Sequence, residues 1–304
     1  MLLVVNQDFA NLRLDKFLCQ KFDLSFGIAQ KLIREKKVKV NDKKIDASYK
    51  IKESDQIEIF SKLENRLTLV KTKPKISDKK ITEFLSYVIY QDENLVAINK
   101  PSGLAVQGGS GIEISVDDFL SAGAFPKGAA LVHRLDKDTS GILLIALNKK
   151  AADFLTDKFR SKTISKTYLA LVCGNLKKEL GTINIPLLKK FIGKNEKVRP
   201  DFEGGKEAIT NYKLIKNFEG YAALELMPIT GRTHQLRVHC KEIGNAIVND
   251  IKYGLKDAAA VILNKPLANK IGKRLCLHAY RIEIEDYFGK VLRIETKRPE
   301  FFAT

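Results

Sequence analysis

Six apolar residues in a row, ILLIAL at 142–147, constrain this chain more than any other stretch. A run that short and that apolar suits a β-strand covered on both faces. The chain is therefore expected to build a sheet with packed layers on each side. The residues just before it, KDTSG at 137–141, are turn formers. They place Asp136 on a tight loop feeding the strand. Loops held at the edge of a rigid core often carry functional side chains, though a polar loop can equally be a plain connection.

Further candidate strands are NLVAIN (94–99), TYLALVC (167–173), TNYKLIK (210–216), YAALELMP (221–228) and VLRIET (291–296). Helices are expected in KAADFLTDKFR and RTHQLRVHCKEIG. These elements lack the regular βα alternation of a doubly wound fold, which predicts an α+β class with a largely antiparallel mixed sheet. The first sixty residues read as a separate small module. Ala10, Leu14, Phe17, Leu18 and Phe22 recur at helical spacing, and Ser25 suits the N-cap of a second helix in DLSFGIAQKLIREKK. VKVNDKKI then reads as two short strands around an Asn-Asp turn, followed by the alternating strand DQIEIF. The polar, lysine-rich stretch that follows reads as a linker, in which LTLV is a possible last strand of the module. The expected boundaries are 1–62 for the module, 63–80 for the linker and 81–304 for the large domain.

The charge balance narrows the partner class. Lys and Arg number 53 against 36 Asp and Glu, a formal charge of +17, which favours a polyanionic partner, most often nucleic acid. A basic but merely solvated surface is the competing reading. The four cysteines lie far apart with no CxxC pair, so they read as reduced, buried thiols. Only four apolar residues follow Met1 before the chain turns polar, and no stretch reaches membrane-spanning length. A soluble cytoplasmic protein is the expectation. There is no P-loop, no strand-linked GxGxxG and no zinc-type spacing. His133, His234, His239 and His278 read as hydrogen-bonding or packing residues rather than metal ligands.

The tetrapeptide RLDK occurs twice, with Asp15 and with Asp136. Asp15 sits in an amphipathic helix whose core face takes Leu14, Phe17 and Leu18, so it reads as a surface carboxylate beside Arg13 and Lys16. Around Asp136 the longer stretch HRLDKDTSG (133–141) is similar to the signature of the RluA family of pseudouridine synthases. Four further segments resemble family elements in the family's order: NKPSGLAVQGGSG (99–111), SKTYLALVCG (165–174), TGRTHQLRVH (230–239) and LHA (277–279). The first sixty residues resemble the S4 RNA-binding module. That combination looks like the branch acting on the large-subunit 23S rRNA, and within it the type C group.

The resemblance implies isomerisation of uridine to pseudouridine: the N1–C1′ bond breaks, the base turns, and C5 joins C1′. Nothing is donated and no redox change occurs, so no organic cofactor and no metal are expected. Asp136 would be the essential carboxylate. An aspartate's ordinary pKa of about 3.9 leaves it ionised at neutral pH, free to attack C1′ or to take a sugar proton. Arg237 would orient it through a planar two-pronged contact. Tyr168 would pack on the base and is the candidate for removing the C5 proton. Arg134 would fill the helix vacated by the flipped base, Leu236 would pack on the turned base, and Lys100 and Pro101 would shape the pocket floor. Arg13, Lys31, Arg34, Lys36, Lys37 and Lys39 would meet phosphates in the S4-like module. Two departures bear on substrate choice: Gln107 stands where the family often has histidine, and residues 255–273 match no family element. The expected partner is 23S rRNA, free or in an assembling large subunit, and the expected state is a monomer. Other rRNA or tRNA uridines stay open as substrates. So does a non-catalytic RNA-binding or ribosome-assembly role, against which the joint retention of Asp136, Tyr168 and Arg237 argues.

Overall fold

The structure is a computed structural model that describes residues 2–22, 24, 26–60, 76–109, 111–192, 195–254, 272–285 and 289–302. The chain divides into two compact units: Met1–Lys75 with Gly109–Glu113, and Ile76–Gly108 with Ile114–Thr304.

The first unit holds β1 (Leu2–Val4), α1 (Leu14–Phe22), α2 (Phe26–Arg34), β2 (Val38–Val40) and β3 (Gln56–Ile59). The strands form an antiparallel sheet in the order β1-β3-β2. Leu14, Phe17 and Leu18 of α1 meet Leu32 of α2 and Val38, Val40, Ile57 and Ile59 of the sheet in one core. The Asn-Asp turn is present, with φ of 49° and 61° at Asn41 and Asp42, the left-handed pair a tight hairpin needs. The second run of VKVNDKKI, however, forms no strand among the described residues and meets β2 only through the Val40–Lys43 bridge. Ala10 precedes α1 rather than joining it. The N-cap assigned to Ser25 and the strand suggested for LTLV (67–70) lie outside the described residues.

Asp15 departs from its sequence reading. It is fully buried, not a surface group. Its carboxylate accepts hydrogen bonds from Arg13 Nε and Nη2 (3.1 and 2.6 Å), from the Lys16 backbone (2.8 Å) and from Gln30 Nε2 on α2 (2.7 Å). Four donors explain how a charge is tolerated there, because burial is costly only for a charge left unpaired. Helical spacing placed Asp15 at the rim of the apolar stripe; the partner on α2 closes over it.

The second unit contains α3 (Asp78–Leu85), β4 (Val88–Gln91), β5 (Leu95–Lys100), α4 (Val116–Ser121), β6 (Ala130–Leu131), β7 (Ser140–Ala146), α5 (Lys149–Arg160), β8 (Ser165–Cys173) and β9 (Leu180–Asn184). It continues with β10 (Leu187–Ile192), β11 (Asn195–Pro200), β12 (Ile209–Asn217), β13 (Tyr221–Pro228), α6 (Gln235–Glu242), β14 (Leu277–Glu285) and β15 (Val291–Glu295). Helix α3 starts inside the stretch read as linker, because Phe84 gives it a buried anchor. The main sheet runs β4-β5-β7-β14-β8-β13-β12-β9, with β15 on β14 and β6 on β7. Every pairing is antiparallel except β7 with β14, so the fold is α+β with a large mixed, mostly antiparallel sheet. β10 and β11 form a separate hairpin.

The apolar run behaves as its composition dictates. Leu143 and Ile145 of β7 enter one core with Val116 and Phe119 of α4. Ile142, Leu144 and Ala146 enter another with Ala151 and Leu155 of α5. Both faces are covered. Truncating Leu143 to alanine would cost about 2–5 kcal/mol on this account.

The parallel joint between β7 and β14 sets the site. It pairs Ser140 with His278 and Gly141 with Ala279. Gly141 has φ of 106°, and a Cβ there would lie 2.2 Å from the Ala279 carbonyl oxygen. Only glycine fits a backbone approach that close. His278 ties the same joint, with Nδ1 2.8 Å from Ser140 Oγ and Nε2 2.7 Å from Thr296 Oγ1. The Asp136 loop therefore enters the sheet at a rigidly fixed point.

Candidate active site

The loop from His133 to Thr139 is held at both ends. His133 Nε2 accepts the Leu144 N–H at 2.8 Å, and its ring stacks on Phe159 at 4.4 Å. Burial first, and the charge of Lys166 second, lower the His133 pKa to about 3, which suits an imidazole that must accept. At the other end Lys100 acts from beneath. Its Nζ donates to the carbonyls of Pro101, Leu104 and Lys137 at 3.0, 2.8 and 3.0 Å. Ser102 Oγ adds a bond to the Asp138 carbonyl, and the Gly103 N–H one to Lys137. Burial pulls the Lys100 pKa down to about 7, with Asp138 and Asp136 opposing. Lys100 and Pro101 thus do not line the cleft, contrary to the floor role expected for them. The lysine head is turned away to satisfy the Lys137 carbonyl of the loop and the Pro101 and Leu104 carbonyls of its own segment.

Asp136 opens onto a cleft of about 520 Å³ lined by the loop, by Lys166 and Tyr168 of β8, by the turn after β13 and by the start of α6. It is the one carboxylate among the lining residues, which include six cations: Arg134, Arg160, Lys162, Lys166, Arg232 and Arg237. Arg160 and Lys162 have partners in Asp157 and Glu207. Among the described residues Arg134 and Lys166 have no ion-pair partner. Arg134 is exposed at the mouth, and burial lowers the pKa of Lys166. Such a wall attracts a polyanion while setting a lone negative charge at its centre.

Helix α6 supplies the groups facing Asp136. Arg237 Nη1 lies 3.5 Å from Asp136 Oδ2, and His234 Nε2 lies 3.8 Å from Oδ1. Arg237 sits in the first turn and His234 at the N-cap, where the helix dipole adds positive potential. The turn is built by TGRTHQ. Gln235 accepts from Thr230 Oγ1 and the Arg232 backbone, and donates to the Ile209 carbonyl and Thr210 Oγ1.

The Arg237 contact differs from the expected one. Its two-pronged fork grips Asp250, with Nε and Nη2 each at 2.7 Å from a carboxylate oxygen. Only Nη1 reaches towards Asp136. Asp250 also accepts from the Lys252 and Tyr253 backbones. Nothing in the spacing of Asp250 singled it out in the sequence; its pairing appears only when the 245–254 loop folds under α6.

Tyr168 is half-buried on β8, across from Leu226 on one side and Ala279 on the other. Burial first, and the Asp136 charge second, raise its phenol pKa well above the ordinary value. Leu236 lines the same cleft and is nearly buried. The four histidines occupy four separate hydrogen-bonding positions; His239 bonds Thr210 Oγ1 and lies 3.1 Å from the Ile185 carbonyl.

In the first unit Lys31, Arg34 and Lys36 are exposed. Lys31 and Lys37 pair with Glu35, Arg13 is engaged by Asp15, and Lys39 lies over the Phe60 ring at 4.7 Å. Residues 255–271 of the segment that matches no family element lie outside the described residues.

Residues 94–242 match the family described as RNA pseudouridylate synthase, and residues 12–57 match the S4 domain. The chain is 42% identical to the ribosomal large subunit pseudouridine synthase C of Rickettsia bellii (strain RML369-C), over 99% of each chain. The chain belongs to the RNA pseudouridylate synthase family. The protein of the same name from Vibrio parahaemolyticus (serotype O3:K6, strain RIMD 2210633) is 36% identical, covering 92% of this chain and 87% of that protein. Among solved structures, human RNA pseudouridylate synthase domain containing 4 superposes with a TM-score of 0.60 at 28% identity, over 74% of this chain and 93% of that one. Human RNA pseudouridylate synthase domain containing 1 gives 0.58 at 26%, over 70% and 83%. The family assignment makes the chain an RNA pseudouridine synthase with an S4 domain ahead of its catalytic domain. No helix among the described residues is long and apolar enough to cross a membrane.

Proposed function

We propose that this chain converts uridines of 23S rRNA to pseudouridine, with Asp136 as the reacting carboxylate. The observation that carries this reading is the lone carboxylate of the cleft, set among six cations and held between Arg237 and His234. The cations receive the phosphates flanking the target, and the flipped base lies between the Tyr168 ring and Leu236. Arg134, exposed at the mouth, occupies the gap left in the RNA stack, which offsets the cost of flipping. Asp136 then meets C1′ or its neighbouring proton as the N1–C1′ bond opens.

Tyr168 serves as the wall of the base site. Proton removal from C5 by its phenolate is opposed by the burial and the Asp136 charge that keep the phenol protonated. Lys31, Arg34 and Lys36 of the S4 unit add phosphate contacts outside the site. The partner is 23S rRNA, free or in an assembling large subunit, and the working unit is a monomer.

Mapping pseudouridine across 23S rRNA from cells lacking this protein tests the reading. Discrete uridines should remain unmodified and regain pseudouridine when the wild-type chain is restored. Unchanged 23S rRNA in those cells would contradict it.

A further inference from the structure

We infer that Tyr253 is a positioning residue: its hydroxyl holds His234 in the tautomer whose Nε2–H faces Asp136, while its ring seats Arg237. The inference rests on the reading of Asp136 as the reacting carboxylate. Tyr253 is buried and lies outside the residues lining the cleft, so it acts only through others.

Three contacts carry the argument. Tyr253 Oη accepts the Val198 N–H at 3.1 Å and lies 2.7 Å from His234 Nδ1. The Arg237 guanidinium carbon stands 5.2 Å above the Tyr253 ring, within cation–π range. The Tyr253 N–H bonds Asp250, the carboxylate that takes the Arg237 fork. Both cationic or donor groups facing Asp136 are thus backed by one tyrosine.

The tautomer follows from counting hydrogens. A phenol has one hydrogen to donate, and Val198 already fills an acceptor position on Oη. If Oη donates to His234 Nδ1, every group is satisfied, and the imidazole proton sits on Nε2, the nitrogen 3.8 Å from Asp136. The opposite arrangement leaves the phenol hydrogen buried with no acceptor among the described residues, which is disfavoured. The His234 backbone is left-handed, with φ of 52°, so the ring enters the site from the residue just ahead of α6.

The test uses full-length protein labelled with ¹⁵N and long-range proton–nitrogen correlation of the imidazoles, without RNA, the His234 signals being assigned by their loss in His234→Gln. Wild-type His234 should show a bare Nδ1 and a protonated Nε2; Tyr253→Phe should mix the tautomers. With RNA, Tyr253→Phe should lower kcat about tenfold and leave KM unchanged, the ring and its contact to Arg237 being kept. Glutamine at 234 places an amide N–H where Nε2–H stood, so in the His234→Gln background Tyr253→Phe should cost less than twofold. An Nδ1–H tautomer in wild type would overturn the inference, as would wild-type turnover by Tyr253→Phe or an undiminished loss in the glutamine background. A wild-type protein that modifies no rRNA would count against the proposed function instead, and the tautomer would still decide this point.

Discussion

Arg237 gives its two-pronged grip to Asp250 at 2.7 Å and reaches Asp136 with the remaining nitrogen at 3.5 Å. The buried pair acts as a bracket. Asp250 fixes the guanidinium plane, and the plane aims Nη1 at the cleft.

The bracket makes a prediction for both its members. Arg237→Lys cannot reproduce the fork, so it should lose at least tenfold in kcat, about 1.4 kcal/mol of barrier. Asp250→Asn should lose a similar factor although Asp250 is buried and does not line the cleft. The double variant should lose little more than either alone, as expected for coupled neighbours. Saturating single-turnover rates for the four proteins check this; additive losses would separate the two residues.

Asp15 should matter for folding rather than chemistry. Asp15→Asn keeps the shape but replaces charge-assisted bonds to Arg13 and Gln30, at a cost of roughly 1.5–3 kcal/mol. Thermal unfolding should show a lowered transition for the first unit. The chemical step, measured where the variant is folded, should stay near that of the wild type.

Acid stability should follow two histidines, His278 buried and His133 half-buried. Burial holds His133 at about 3 and His278 at about 4, below the ordinary 6.5. From pH 6.5 down to about 4 the unfolded chain therefore binds more protons than the folded one. The stability from keeping these rings neutral is complete above pH 6.5 and falls as pH drops through that window. The loss is up to about 1.4 kcal/mol per pH unit for each ring. His278→Asn should be less stable at pH 7 yet show a shallower decline. Urea midpoints from pH 7 to 4 measure both slopes; equal slopes would remove His278 from the account.

Much of this architecture was legible in the sequence for a physical reason. Runs such as ILLIAL and TYLALVC name strands whichever partners they find, and HRLDKDTSG marks a loop feeding a strand of the core. What stayed hidden depends on distant segments closing together. The burial of Asp15 needs Gln30 from the next helix, and the Arg237 fork needs Asp250 from a loop thirteen residues on. The inward turn of Lys100 needs the Lys137 carbonyl. The hairpin of β10 and β11 was missed because its lysine-rich strands lack clean alternation. On β11 the buried Val198 packs in a small core with Val238 and Tyr253.

The central claim is that one of two RLDK aspartates does the chemistry. The most direct measurement is single-turnover release of tritium from C5-labelled uridine in 23S rRNA by Asp136→Asn, with Asp15→Asn and wild type alongside. The amide keeps the size of Asp136 and removes its charge and nucleophilicity. The account predicts no release above background for Asp136→Asn, with RNA binding retained, and near-normal release for Asp15→Asn. Release by Asp136→Asn at a rate comparable to wild type would contradict it.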